Sequence, residues 1–332
     1  MSDSATASPR ITRPLPVLSQ LGLGTATFGW LYEPVSAAQA AATVHRALEL
    51  GITYLDTAPA YGLGAAESKT GAALHDVDPG QLVVSTKVGR VLEPLPATAA
   101  QNDAYPGAPQ LHAVDAWTED GIRRSLEDSL VRLGLDRVDI AYIHDPDNNE
   151  QDVYDTAFPA LARLRDEGTV RAIGVGMNQS AMPTRFVERL DLDVVLLAGR
   201  YTLLEQGALD DLLPTCLTRG TRVVIGGPFN SGLLASPTES AHYDYGPAPR
   251  ALLERAQAIR RVCAGHGVPI TAAALQFPLG HPSVVSVLAG MRTPAEVEQN
   301  VAAFATEVPD ALWDDLRAEG LLRPDAPPGK PV

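Results

Sequence analysis

The stretch Thr118–His144, TEDGIRRSLEDSLVRLGLDRVDIAYIH, holds one full unit of the pattern that decides the fold. Thr118 is placed to cap a helix, because its hydroxyl can accept from a first-turn N–H that has no partner inside the helix. Ile122, Leu126, Leu130 and Leu133 recur at helical spacing and make one apolar face. Gly134 follows as a stop, since glycine takes the left-handed conformation that ends a helix without steric cost. The chain then enters Val138–His144, a short, mainly apolar run that suits a strand covered on both faces.

The same unit repeats outward from there. Leu18–Gly24, Thr53–Thr57, Leu82–Lys87, Val170–Gly176, Val194–Tyr201, Arg222–Ile225 and Val284–Leu288 read as further strands. Ser36-Ala37-Ala38-Gln39 has the capping-box pattern, opens a helix with Ala40, Val44, Ala47 and Leu48 on one face, and is answered by Gly51. Thr156–Glu167 ends at Gly168, and helical spacing continues over Met182–Leu190, Ala208–Leu217, Arg250–Ala264 and Pro294–Phe304. Strands alternating with helices imply right-handed βαβ crossovers. Eight such units point to an α/β fold, a (β/α)8 TIM barrel with long loops at its C-terminal mouth. A doubly wound open sheet is the competitor, but Gly22-Leu-Gly24-Thr-Ala-Thr27 and Gly62-Leu-Gly64-Ala-Ala-Glu67 both lack the third glycine of a dinucleotide fingerprint. The expected organisation is a disordered tail over 1–14, a barrel over 15–322 and a C-terminal tail over 323–332. The connections Val91–Trp117 and Gly226–Pro249 are long enough to overhang the mouth as loops.

Composition excludes several partners. Lys plus Arg is 26 and Asp plus Glu is 40, a net charge of −14, which repels both a nucleic-acid backbone and an anionic membrane surface. Cys216 and Cys263 cannot build a disulfide framework and read as buried thiols. No apolar run is long enough to span a bilayer, and Met1–Pro9 lacks the basic and apolar regions of a signal peptide. A cytoplasmic location is expected, with a small molecule as the partner.

The barrel reading gathers polar residues at one rim. The second strand leads through Asp56 to Tyr61, the third ends at Lys87 and the fourth at His144. A buried carboxylate and ammonium need partners and pair with each other at least cost. A phenol near that ammonium has its anion favoured, which moves a tyrosine toward proton transfer near neutral pH. Trp30 and Trp117 are candidate stacking faces for a substrate or ordinary packing, and Asp145 is placed to bond a substrate hydroxyl or orient His144. No recurring His or His/carboxylate pattern suggests a metal, so a metal-dependent hydrolase using Asp56, His144 and Asp145 is disfavoured.

These motifs resemble the aldo-keto reductases. The matching segments are Leu21-Gly22-Leu23-Gly24-Thr25, Gly51–Gly62 with Asp56 and Tyr61, Thr86-Lys87, Ser125–Asp139 running into His144, Gly168–Val175, and Glu296-x-x-Gln299-Asn300, spread over roughly residues 15 to 320. The resemblance implies a barrel that binds NAD or NADP without a Rossmann domain, with Asp56, Tyr61, Lys87 and His144 as the catalytic tetrad. By position it assigns cofactor contacts to Gly24, Thr25, Ala26, Asp56, Asn178, Gly227, Phe229, Ser231, Leu233, Met291, Glu296, Gln299 and Asn300. Phe229–Leu233 would wrap the pyrophosphate through main-chain donors. Three family positions differ here: Met177 stands before Asn178 in place of Ser, Ala198 in place of Gln, and Gly226 in place of the stacking aromatic. Glu296 occupies the usual Arg position; it is both an N3 residue of a capping box and a carboxylate unfavourable to a 2′-phosphate, so NAD is expected over NADP, with Arg292 as the remaining phosphate ligand.

Within that family Tyr61-Gly62-Leu63-Gly64 with Glu67, Ile143–Asp147, Ala198–Leu204 and Phe229–Leu234 look like the aldose 1-dehydrogenase branch, which includes L-fucose, L-galactose and pyridoxal 4-dehydrogenases. The expected reaction is oxidation of an aldose at its anomeric hydroxyl (L-fucose, D-arabinose or L-galactose type) to the lactone, with Tyr61 as proton relay. The alternatives are pyridoxal oxidation, NADPH-dependent aldehyde or ketone reduction on the same fold, and a non-catalytic cofactor-sensing subunit.

Overall fold

Eight parallel strands close on themselves. They are β1 (Leu21–Gly24), β2 (Tyr54–Asp56), β3 (Val83–Val88), β4 (Val138–His144), β5 (Val170–Met177), β6 (Val194–Ala198), β7 (Arg222–Gly226) and β8 (Val284–Gly290). Each pairs with its sequence neighbours, and β8 pairs with β1 to shut the barrel. The computed structural model describes residues 13–31, 33–96, 99–102, 107–244 and 246–330. Most of the tail expected over 1–14 lies outside the described residues; Arg13 lies inside them and donates to Asp191 at 2.6 Å.

The unit that decided the fold forms as its residues dictate. Thr118 Oγ1 accepts from Gly121 N at 3.2 Å, the helix Glu119–Leu133 buries Ile122, Leu126 and Leu133, and Gly134 ends it at φ 64°. Each of those side chains contributes roughly 1.5–3 kcal/mol by leaving water. Two cores result from the alternation of side chains along the strands. Leu55, Val84, Ile143 and their equivalents face the surrounding helices. Tyr54, Val83, Ile140, Tyr142, Ala172, Val194, Leu196, Val224 and Leu288 fill the barrel interior.

Several expectations need correction. Val91–Trp117 is no simple loop: Arg90–Pro94 pairs antiparallel with Leu111–Asp115, a half-exposed hairpin whose apolar signal is weak. The sixth strand stops at Ala198 because Gly199 turns the chain at φ 67°. The helix expected from Thr156 starts at Glu150 and passes through a π-turn at Val153–Ala157. In the first helix (Ala37–Glu49) the box is half made: Ser36 accepts from Gln39 N, but the Gln39 amide donates to Arg292 O at 3.0 Å. Helices over Ala65–Leu74, Ile270–Gln276 and Asp310–Ala318 had not been anticipated. The first two are buried almost all round, so they present no amphipathic stripe to read.

Both cysteines are buried as free thiols. No single helix among the described residues is long and apolar enough to cross a membrane. Residues 323–330 pack beneath the barrel: Lys330 N donates to Gln276 O at 3.0 Å, and Gly329 lies against Trp313.

Candidate active site

The register of three neighbouring strands builds the site. Asp56 is paired with Ser85 across β2 and β3, and Lys87 with Tyr142 across β3 and β4. Residues two apart share a strand face, so Asp56, Lys87 and His144 all top inward-facing columns at the C-terminal rim. Tyr61 arrives from the turn after β2. That turn is held by backbone: a Cβ on Gly29 would lie 2.5 Å from Tyr61 C and Gly62 N, and Gly62 itself sits at φ 61°. Only glycines allow the first and second mouth loops to touch there, and this contact fixes Tyr61.

The four expected tetrad residues come together. Lys87 is 1% exposed and donates to Asp56 Oδ2 at 2.7 Å and to Thr57 O at 2.8 Å. Its Nζ lies 4.6 Å from the centre of the Tyr61 ring. The Tyr61 and His144 rings meet edge to face with centroids 5.9 Å apart. Burial works against the charge on Lys87, but the Asp56 carboxylate and Tyr61 outweigh it and raise its pKa, so Lys87 is an ammonium at any working pH. His144 is held well below the ordinary imidazole value, first by burial and then by Lys87 and Arg90. Its Nε2 lies 3.4 Å from Asp145 Oδ2, a geometry that would suit an ion pair. The neutral ring is the state we adopt, because two cations and full burial oppose a partly exposed carboxylate. That carboxylate is itself raised in pKa by burial, with Arg90 opposing.

Beneath the rim lies a layer that sequence reasoning passed over. Ser85 Oγ donates to Asp56 Oδ1 at 2.7 Å, Tyr54 OH is 3.1 Å from Ser85 Oγ, and Tyr142 OH is 3.1 Å from Tyr54 OH. A signal was available: Tyr54, Ser85 and Tyr142 each stand two residues before a tetrad member on the same inward column. Outside the barrel the wholly buried Glu67 accepts from Thr86 Oγ1 and Arg132 Nε, both at 2.6 Å, and so braces the residue next to Lys87. Lys69 was likewise unforeseen. It donates to Phe28 O at 2.8 Å and Val35 O at 2.7 Å, and its Nζ stands 3.2 Å over the Trp30 ring. Trp30 is thus pinned at the rim at φ 66°. Trp117, the other candidate stacking face, is packed: its ring fills the space where a Gly89 Cβ would stand 2.2 Å away.

The residues expected to touch a cofactor line the other side of the mouth. Gly24 ends β1 and Thr25 and Ala26 follow it, and both the N–H and the hydroxyl of Thr25 are already given to Asp56 O. Asn178 follows β5 and is exposed. After β7 the turn through Gly227, Asn230, Ser231 and Gly232 has four positive φ angles. The N–H groups of Asn230, Gly232 and Leu233 close internal bonds, and Leu233 is buried. The expected main-chain wrap therefore narrows to the donors of Phe229 and Ser231 and the Ser231 hydroxyl. Asn230 ties this turn to β6 by donating to Gly199 O at 3.0 Å and accepting from Thr202 at 2.7 Å. Met291 is buried, while Gln299 and Asn300 lie on the first turns of the helix Pro294–Phe304. Arg292 is not open to a phosphate as expected: it donates to Glu296 Oε1 at 2.9 Å and to Glu33 Oε2 at 2.7 Å.

This donor set fits a nicotinamide dinucleotide. An exposed amide suits the carboxamide, a hydroxyl and two N–H groups suit phosphate, and glycines 24 and 227 leave room for close approach. Among the described residues no three His, Cys, Asp or Glu side chains gather as a metal site.

Comparison with known proteins agrees with the architecture and the chemistry. The model of the family described as "Aldo/keto reductase family" matches residues 20–319. The chain is 44% identical to a D-threo-aldose 1-dehydrogenase of Pseudomonas sp over 92% of this chain and 94% of that one. It is 38% identical to a pyridoxal 4-dehydrogenase of Microbacterium luteolum over 92% and 95%. Among solved structures, a glycerol dehydrogenase of Gluconobacter oxydans superposes with a TM-score of 0.73 at 24% identity, covering 97% and 98%, which shows the shared fold. The chain belongs to the aldo/keto reductase family and is an NAD(P)-dependent oxidoreductase acting between CH–OH and carbonyl groups.

Proposed function

We propose that this enzyme oxidises the anomeric hydroxyl of an aldose of the L-fucose, D-arabinose or L-galactose type to the lactone, with NAD preferred over NADP. The observation that carries this reading is the fully buried Lys87, bonded to Asp56 beneath the face of Tyr61 and opposite His144. When bound, the nicotinamide supplies the carbon that accepts a hydride from the substrate carbon. Asn178 would hold its carboxamide, Phe229 and Ser231 its phosphates, and Met291, Glu296, Gln299 and Asn300 its adenosine end, with Gly24, Thr25, Ala26 and Gly227 lining the path.

The chain's own residues manage the proton and the substrate oxygen. Tyr61, as the phenolate that a neighbouring ammonium favours, takes the proton from the anomeric hydroxyl as the C–O bond becomes a carbonyl. Lys87 keeps its charge through the step because Asp56 and Thr57 hold two of its three protons. His144 is neutral and orients the substrate oxygen, while the Asp145 carboxylate beside Nε2 favours the tautomer with hydrogen on that nitrogen and fixes the ring. Trp30, pinned by Lys69, offers an apolar face at the rim on which a pyranose can stack.

The same chemistry serves any cyclic hemiacetal, and the likeness to a pyridoxal 4-dehydrogenase places pyridoxal beside the sugars in one screen. NAD⁺ and NADP⁺ reduction with L-fucose, D-arabinose, L-galactose and pyridoxal should show turnover with at least one of them. Tyr61→Phe should lose about 10²–10⁴-fold in kcat while NADH binding, read by fluorescence, stays unchanged. Aldehyde reduction by NADPH with no hemiacetal oxidation would replace this reading with a carbonyl reductase; tight NADH binding without any turnover would replace it with a cofactor sensor.

A further inference from the structure

Inside the barrel, one layer below the rim, three hydroxyls form a line whose proton positions can be deduced. Ser85 gives its only hydrogen to Asp56 Oδ1 at 2.7 Å. At the 3.1 Å contact between Ser85 Oγ and Tyr54 OH the tyrosine must therefore donate. Tyr54 has then spent its hydrogen, so at the next 3.1 Å contact Tyr142 donates to Tyr54. All three dipoles point their positive ends toward one carboxylate. Aligned hydrogen bonds in a low-dielectric interior strengthen one another. Tyr54 and Tyr142 are wholly buried, and burial raises both phenols, so neither ionises and the direction of the line is stable. Apolar side chains would fill this layer without any desolvation cost, so the polar line is a costly feature in an otherwise apolar interior.

We propose that Ser85, backed by Tyr54 and Tyr142, is a positioning residue for proton transfer: it satisfies Asp56 Oδ1, so that Asp56 takes only one proton from Lys87 and leaves the ammonium directed at Tyr61. The inference rests on the reading of Tyr61 as the proton relay. Lys87 has three N–H donors. Asp56 Oδ2 and Thr57 O take two of them, and the third faces the phenol side. Removing the Ser85 hydroxyl strips one buried oxygen of its partner, and the carboxylate then draws Lys87 toward itself. It also leaves more of the negative field of Asp56 acting on Tyr61. Both effects disfavour the phenolate, so the sign is unambiguous. The charged and titratable groups around Tyr61 are Lys87 on β3, Asp56 on β2, His144 on β4 with Asp145 behind it, Arg90 on the hairpin and Lys69 beside Trp30. None of these residues is itself replaced; Ser85 touches only Asp56 among them, so the effect reaches Tyr61 through Asp56 and Lys87.

The titration needs no substrate; turnover is read with a substrate found in the screen above. The ultraviolet tyrosinate titration of the wild type minus that of Tyr61→Phe isolates the Tyr61 phenol. The same difference is then taken in Ser85→Ala, Ser85→Thr and Tyr54→Phe backgrounds. Ser85→Ala should shift the Tyr61 midpoint upward by about half to one pH unit, Tyr54→Phe should shift it less in the same direction, and Ser85→Thr, which keeps the hydroxyl, should restore it. Should Ser85→Ala lose its cooperative melting transition, Tyr54→Phe decides alone. An unshifted midpoint in the folded variants, with turnover still abolished by Tyr61→Phe, overturns the proposal and leaves the relay standing. A wild-type phenol titrating no lower than free tyrosine, about 10, or full turnover in Tyr61→Phe, overturns the relay itself.

Discussion

His144 sits at the rim between two cations, Lys87 and Arg90, with its ring buried. Unfolded, the imidazole protonates near about 6.5; folded, it protonates only well below that. Between those values the unfolded chain binds more protons, so this contribution to stability is complete above the unfolded value and is lost as pH falls through it. His144→Gln should therefore lose less melting temperature than the wild type between about pH 7.5 and about pH 5. Equal losses, read by differential scanning calorimetry, would show that other groups carry the acid sensitivity. At this scale the sequence was readable for Asp56, Tyr61, Lys87 and His144, because chemistry-bearing types at strand ends stand out against an apolar background. It was silent on Ser85, Tyr54 and Tyr142, whose roles depend on which column of which neighbour they face.

The start of the helix Pro294–Phe304 shows how an element refines a local pattern. Thr293 caps it, accepting from Glu296 N at 3.1 Å, as the box pattern requires. The Glu296 carboxylate reaches past Thr293, however, and accepts from Arg292 N at 2.7 Å and from the Arg292 guanidinium. Glu33, from the loop after β1, holds the same guanidinium from the other side. These pairs are partly exposed and add little stability. Their effect is on charge: two carboxylates occupy Arg292, the arginine the resemblance offers to a 2′-phosphate. Glu296→Arg should raise the NADP/NAD ratio of kcat/KM by about tenfold or more, ~1.4 kcal/mol of discrimination. Steady-state kinetics with both cofactors checks this, and an unchanged ratio would remove Glu296 from cofactor choice. The capping signal was local and so was legible; Glu33 comes from 259 residues away and was not.

At the scale of the whole molecule, the chain after the last helix (Asp310–Ala318) straps the turn that leads into β8. Leu321, Leu322 and Ala326 are buried, and a Cβ on Gly280 would lie 1.7 Å from Pro328 O. Gly280→Ala should therefore push the strap away and destabilise the fold by roughly 1–3 kcal/mol, seen as a lower denaturation midpoint. An unchanged midpoint would mean that the strap yields freely. The barrel itself followed from sequence alone. Eight apolar strands and the helices that carry their own caps, such as those opened by Ser36, Thr118 and Thr293, are specified locally, because hydrogen bonding, glycine stereochemistry and hydrophobic spacing act within a few positions. Whatever needed two distant segments to meet, the tertiary structure alone decided: the line of hydroxyls under Asp56, the grip of Lys69 on Trp30, the two carboxylates on Arg292 and the strap against Gly280. Barrel closure and strand register set those distances, and neither is written in any single stretch of the chain.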